Sequence, residues 1–204
     1  MANRTREKLI DVARHLFARK GIENTTMVDI ANASDKGRRT VYTYFKSKKA
    51  IYEAVIEKES ENIVERLRKV YSLDLPPIEK LRQFIIIRFE ILKKISETTA
   101  PDSGIKSFFT RDTKKIEKVI DIALQKEREM LNEILRLCMS NPEIDSRQLA
   151  RLKVVMPFLQ QGVDISFMRN NYSTLGVDEN SFAEVVASFV INGLYKKQKP
   201  IDNQ

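Results

Sequence analysis

Thr25-Thr26-Met27-Val28-Asp29-Ile30-Ala31 runs on to Ser34-Asp35-Lys36-Gly37 and then directly to Arg38-Arg39-Thr40-Val41-Tyr42-Thr43-Tyr44-Phe45. The first stretch predicts a short helix. Thr26 with Asp29 three residues on is a capping-box variant, in which the hydroxyl meets an orphan backbone N–H and the carboxylate favours the positive helix end. Met27, Ile30 and Ala31 then face inward. Ser34–Gly37 is turn chemistry and stops that helix. The third stretch predicts a second short helix. Val41 and Phe45 lie four apart and face a core, which leaves Arg38, Arg39, Thr40, Thr43 and Tyr44 on the remaining face.

Upstream, Arg4 to Lys20 reads as a helix with Leu9, Ala13, Leu16 and Phe17 on one face. Gly21 stands where a left-handed residue ends a helix. Downstream, Ser47 caps a long fourth helix from Lys48 to about Tyr71. Two helices, a tight turn and a polar, basic outer face make a helix-turn-helix. The major groove is about 12 Å wide and admits one helix. The supporting helices must therefore hold one helix firmly while its outer face stays open. Arg donates two parallel hydrogen bonds to guanine, Thr offers a hydroxyl or methyl, and Tyr42, Tyr44, Lys46 and Lys48 stand where phosphate contacts set register.

Charge supports this reading. Residues 1–50 hold 12 Lys/Arg against 5 Asp/Glu, whereas residues 51–204 hold 24 against 23. Nearly all of the net +8 belongs to the first quarter of the chain, the footprint expected for a polyanion partner.

The runs Thr25–Ala31 and Thr40-Val41-Tyr42-Thr43-Tyr44-Phe45-Lys46-Ser47-Lys48 resemble the TetR/AcrR family signature, and Ala13, Leu16-Phe17 and Gly21-Ile22 match the family's first helix. The resemblance covers roughly residues 5–60. It departs in the turn, where the family usually has Ala-Gly-Val-Ser: Asp35 replaces the turn glycine and Lys36 the buried valine. Asp tolerates left-handed backbone, so the turn is expected to survive with Lys36 reaching outward. Arg39 stands where a small residue is usual. The resemblance implies a dimeric regulator, a repressor on a palindromic operator. A small molecule in the C-terminal region would move the fourth helix and spoil the half-site spacing of about 34 Å.

The expected fold is all-α, with about nine helices: a homeodomain-like three-helix unit and a C-terminal bundle. The domains expected are 1–50 for DNA binding, a connecting helix 48–71, and 72–204 for ligand binding and dimerisation. Double-stranded DNA is the expected partner, through Thr25, Thr26, Lys36, Gly37, Arg38, Arg39, Thr40, Tyr42, Thr43, Tyr44, Lys46 and Lys48. The candidate effector site, for an apolar or amphipathic molecule, is Phe84, Arg88, Phe108, Phe109, Met156 and Gln160. The candidate homodimer face is Leu159, Val163, Phe167, Phe182, Val185, Val186 and Phe189, an apolar surface too wide to leave open.

Pro76-Pro77 begins a helix with Leu81, Phe84, Ile85, Phe89, Leu92 and Ile95 on its apolar face. Thr98–Gly104 reads as a loop, Ile105–Thr110 as a short apolar piece, and Asp112–Met139 as a long helix broken by Asn141-Pro142. Ser146 is placed as the next cap, Pro157 is expected to kink that helix, and Asp178 or Ser181 starts the last one. A single Cys excludes an internal disulfide and suits a reducing, cytoplasmic setting, with Cys138 as a core residue. No phosphate loop, nucleophile elbow or metal-ligand spacing occurs, so neither an enzyme, a cofactor nor a metal is expected, and lone His15 reads as surface. The alternative function is a helical protein-interaction module with a basic N-terminus. The polar outer face of Arg38–Tyr44 argues against a membrane-surface role for it.

Overall fold

The computed structural model describes residues 2–97, 114–168, 173–174 and 176–196. Its described elements are eight helices: α1 (Ala2–Lys20), α2 (Met27–Ala33), α3 (Arg38–Tyr44), α4 (Lys48–Tyr71), α5 (Pro77–Glu97), α6 (Lys114–Cys138), α7 (Ser146–Met168) and α8 (Glu179–Asn192). The all-α expectation holds. The Thr98–Gly104 loop and the Ile105–Thr110 piece lie outside the described residues.

Packing divides the chain into two compact units, one of Met1–Glu65 with Ile91–Gln125 and the other of Arg66–Glu90 with Lys126–Gln204. This differs from the expected boundaries near residues 50 and 72. Long helices contribute each half to whichever core it packs on, so the division follows helix halves rather than chain order.

In unit 1 a single core holds Leu9, Ala13 and Phe17 of α1, Ile30 and Ala31 of α2, Val41 and Phe45 around α3, Ile51, Tyr52 and Val55 of α4, and Ile120. The rings of Phe17 and Tyr52 meet edge to face, 5.8 Å between centroids. At the rim, Lys58 Nζ donates to Glu7 at 2.7 Å and Asp11 at 3.1 Å, clamping α4 to α1. Hydrogen bonds and charge from Glu7 and Asp11 hold the Lys58 ammonium above its ordinary pKa, against a smaller opposing effect of burial.

The helix ends follow local chemistry. Gly21 has φ 81° and donates to the Phe17 carbonyl at 3.0 Å, closing α1. Thr26 accepts from the Asp29 N–H at 3.1 Å while Asp29 accepts from the Thr26 N–H at 2.9 Å, a complete capping box. Ser47 Oγ accepts from the Ala50 N–H at 3.2 Å and starts α4.

In unit 2 the buried residues include Leu67, Leu81, Phe84, Ile134, Leu135, Cys138, Leu149, Ala187 and Leu194. Pro76 offers its carbonyl to Lys80 N–H at 2.9 Å and Pro77 opens α5, where its missing N–H costs nothing. One cap is corrected. Asp145, rather than Ser146, precedes α7, and its carboxylate accepts from the N–H groups of Arg147 at 2.8 Å and Gln148 at 3.4 Å. Asp178 does the same for Ser181 at 3.0 Å, so α8 starts at the earlier of the two expected positions. Pro157 lies within α7 without ending it. Burial pushes the Cys138 thiol up to about 11.

Candidate functional site

Two places in the molecule gather the residues singled out from sequence, one in each unit. The first is the outer surface of α3. Gly37 precedes α3 with extended backbone, and Val41 and Phe45 are buried beneath the helix. Arg38, Arg39, Tyr42 and Thr43 are exposed on it, as is Lys46 just beyond. Thr40 and Tyr44 are half-buried, and Tyr44 also packs on the unit 1 core. The turn is held as expected. Asp35 takes φ 53°, a left-handed conformation that Asp tolerates, and the Lys36 N–H donates to the Ala31 carbonyl at 3.1 Å. Lys36 itself is half-buried rather than fully outward. His15 is exposed, and its Nδ1 donates to the Asp11 carbonyl at 2.7 Å.

Two expected DNA contacts need correction. Thr25 is fully buried, and its hydroxyl donates to the Gly21 carbonyl at 2.8 Å. It ties the end of α1 to the start of α2 and presents no side chain to a duplex. Lys48 Nζ donates to the carbonyls of Ile22 at 2.7 Å and Glu23 at 3.1 Å, so its ammonium braces the α1–α2 connection. Thr26 stays at the surface but is committed to its cap. Hydrogen bonds from the Thr26 N–H and hydroxyl, aided by Lys20, hold the Asp29 carboxyl below its ordinary pKa.

The second place is a cavity of about 240 Å³ in unit 2. Four of the expected effector residues line it: Phe84, Arg88, Met156 and Gln160. Phe108 and Phe109 lie outside the described residues. Glu127 was missed by the sequence reading. It is buried, and its Oε1 accepts from Arg88 Nε and from Gln160 Nε2 at 2.5 Å. A carboxylate on an amphipathic helix reads as a solvated face, and its partners stand 39 and 33 positions away.

The expected dimer face divides. Leu159, Val185 and Phe189 are exposed, and they also line the cavity. Val163 and Val186 are half-buried in the cavity wall. Phe182 is corrected: it is half-buried, and its ring meets Phe89 edge to face at 5.5 Å, so it packs within the unit. The side chain of Phe167 lies outside the described residues. The exposed apolar stripe of α7 instead includes Val154, Val155 and Phe158. Val154 and Phe158 are four apart, a signal present in the sequence but hidden because α7 is apolar on more than one side.

The described residues thus form an all-helical fold with an exposed, basic outer face on α3. Residues 9–55 match the family of bacterial regulatory proteins of the TetR type. The chain is 33% identical over 87 residues to the HTH-type transcriptional regulator AcrR of Shigella flexneri, covering 42% of this chain and 40% of that protein. It spans less than half the length of that relative and of the acrEF/envCD operon repressor of Escherichia coli, of which it covers 46%. Among solved structures, a transcriptional regulator from Cytophaga hutchinsonii superposes with TM-score 0.73 at 20% identity, over 93% of this chain and 98% of that one. FadR of Bacillus subtilis, in complex with stearoyl-CoA, superposes with TM-score 0.63 at 19% identity, over 93% and 99%. The likeness to the TetR-type family is carried by residues 9–55.

Proposed function

We propose that this protein is a sequence-specific DNA-binding transcriptional repressor. It acts as a homodimer in the cytoplasm and leaves its operator when a small molecule binds. Residues 1–50 form the DNA-binding unit and residues 72–204 the effector and dimerisation region. The observation that carries the reading is the outer face of α3, with Arg38, Arg39, Tyr42 and Thr43 exposed over a fully buried Val41. A helix so supported can enter the major groove with its side chains at the base edges. Lys36 and Lys46 flank it as phosphate contacts.

Dimerisation is supported by the exposed apolar residues Val154, Val155 and Phe158 of α7 and Val185 and Phe189 of α8. Large apolar side chains exposed in that number favour an interface between subunits. The unit 2 cavity supplies the effector site, and ligand binding shifts the protein toward the state with lower operator affinity.

A gel-shift titration against the DNA upstream of the gene tests the DNA-binding reading. Specific binding is expected, with log affinity falling linearly as log salt rises, by about 0.9 per phosphate contacted. Salt-insensitive binding, or equal affinity for unrelated duplexes, would overturn it. Light scattering tests the dimer: a species of 23.7 kDa at micromolar concentration would count against pairing.

A further inference from the structure

We infer that a second copy of this chain closes the unit 2 cavity, so that the effector site is complete only in the dimer and effector binding is linked to pairing. The inference rests on the dimer and effector readings above. Its starting point is the exposure of one part of the cavity wall. Phe84, Ile85, Leu131 and Val190 line the cavity and are buried. Leu159, Val185 and Phe189 line it too, yet they are 44%, 54% and 76% exposed. A side chain that lines a cavity while standing largely in water is a thin wall with a bare outer side. An apolar ligand behind such a wall is incompletely removed from water and gains less from burial.

That bare side continues onto α7. Leu159 stands four residues after Val155, and Phe158 four after Val154, so the open part of the cavity and the exposed apolar face of α7 share one helix surface.

Two observations fit this surface to a second copy. The exposed residues of α7 from Val154 to Gly162 carry no charge, and the charge next to Val185 on α8, that of Glu184, is paired with Arg82 at 2.8 Å. A two-fold interface sets one patch against itself, which like charges would oppose. Gly162 is exposed, and a Cβ there would meet nothing within 4 Å. No described residue therefore requires glycine at this mid-helix position, where it weakens the helix relative to alanine. Bare backbone there lets a second helix approach closely.

The consequence is linkage. A ligand that binds the closed cavity of the dimer better than the open cavity of the monomer draws the chains together. Pairing raises ligand affinity in return.

The test uses octanol as an amphipathic probe, titrated calorimetrically into the full-length protein, with light scattering reporting the oligomeric state. The residues lining the cavity do not include Phe158 or Val154, so Phe158→Glu should break pairing while leaving the cavity wall intact. As a monomer of unchanged helix content by circular dichroism, it is expected to bind octanol at least tenfold more weakly than wild type. Val154→Glu is the second variant, used if Phe158→Glu does not fold. In wild type, saturating octanol should lower the dimer dissociation constant at least tenfold, read by sedimentation across a dilution series. A folded monomer that binds octanol as wild type does, or a dimer whose dissociation constant ignores octanol, overturns the inference and leaves the dimer and cavity readings standing. Variants that stay dimeric take this face of α7 out of the interface and overturn it as well. A monomeric wild type overturns the dimer reading, and a wild-type dimer that takes up no octanol overturns the cavity reading; the inference falls with either. The DNA gel shift is independent of all these outcomes.

Discussion

Arg39 and Arg88 are the same side chain in opposite circumstances. Arg39 stands exposed on α3, and within the described residues no carboxylate is paired with it. Arg88 lies against buried Glu127 inside unit 2. An exposed arginine costs the fold little and keeps its donors for a partner that arrives later. A buried arginine must be balanced by partners within the fold. Net charge along the sequence reports the first kind of site and is blind to the second, where opposite charges cancel.

Breaking the buried pair gives the largest expected effect. Glu127→Ala removes the buried carboxylate that Arg88 and Gln160 share and should lower stability, by at most about 3–5 kcal/mol. Urea unfolding measures this as a fall in midpoint at unchanged slope. The double replacement Arg88→Met with Glu127→Leu should recover most of that loss. A single variant as stable as wild type would mean that the shared carboxylate contributes little to the fold.

The exposed member should behave in the converse way. Arg39→Ala is expected to leave the unfolding midpoint within about 0.5 kcal/mol of wild type, as usual for surface changes. It should weaken operator binding by about 1–3 kcal/mol and relax preference at one base position if Arg39 reads a base. Lys48 sharpens the contrast, because its ammonium is engaged by the Ile22 and Glu23 carbonyls. Lys48→Met should lower stability and DNA affinity together, whereas Arg39→Ala lowers affinity alone. Equal loss of stability in both would erase the distinction between a reading residue and a bracing one.

The parts legible in sequence were those written into neighbouring residues. Gly21 as a helix stop, the Thr26–Asp29 box, left-handed Asp35, Ser47 as a cap and the inward pair Val41 and Phe45 each depend on residues within a turn or two. Thr25, Lys48 and Glu127 are different. Thr25 and Lys48 have surface-type side chains that the fold turns to internal carbonyls, and Glu127 is fixed by residues from two other helices. Local patterning carries no record of such pairings. The cavity was half legible for the same reason. Apolar spacing located Phe84 and Met156, but only the packed unit shows that Arg88 and Gln160 share one carboxylate oxygen.

Smaller effects separate the caps from the cores. Thr26→Ala removes the side-chain acceptor for the Asp29 N–H and should cost about 1 kcal/mol of stability. Asp29 should become more basic in that variant, because the Thr26 hydroxyl helps to lower its pKa, while the larger contribution of the residue 26 backbone N–H is kept. A group with a lowered folded pKa stabilises the fold above its unfolded pKa and loses that contribution as pH falls. Wild type should therefore lose stability relative to Thr26→Ala on acidification below about pH 4, near the unperturbed Asp value. Parallel stability curves through that range would show that the carboxylate does not depend on the cap.

The least perturbing probe is Cys138, and its expected effect runs the other way with pH. Burial raises its thiol from 9.0 to about 11 by penalising the thiolate. The unfolded chain therefore gives up this proton at lower pH than the folded one. The contribution is complete below pH 9 and is lost as pH rises toward 11, so stability should decline across that window relative to Cys138→Ala. That variant shifts the whole curve down by removing a buried side chain, but it should flatten the alkaline limb. In the native protein, alkylation at neutral pH should be slow and governed by opening of unit 2, because the thiol is fully buried and un-ionised. A ligand that fills the unit 2 cavity stabilises that unit and should slow alkylation further, in proportion to its occupancy. Rapid labelling of the folded protein, unaffected by ligand, would mean that the thiol reacts without the opening that its burial requires.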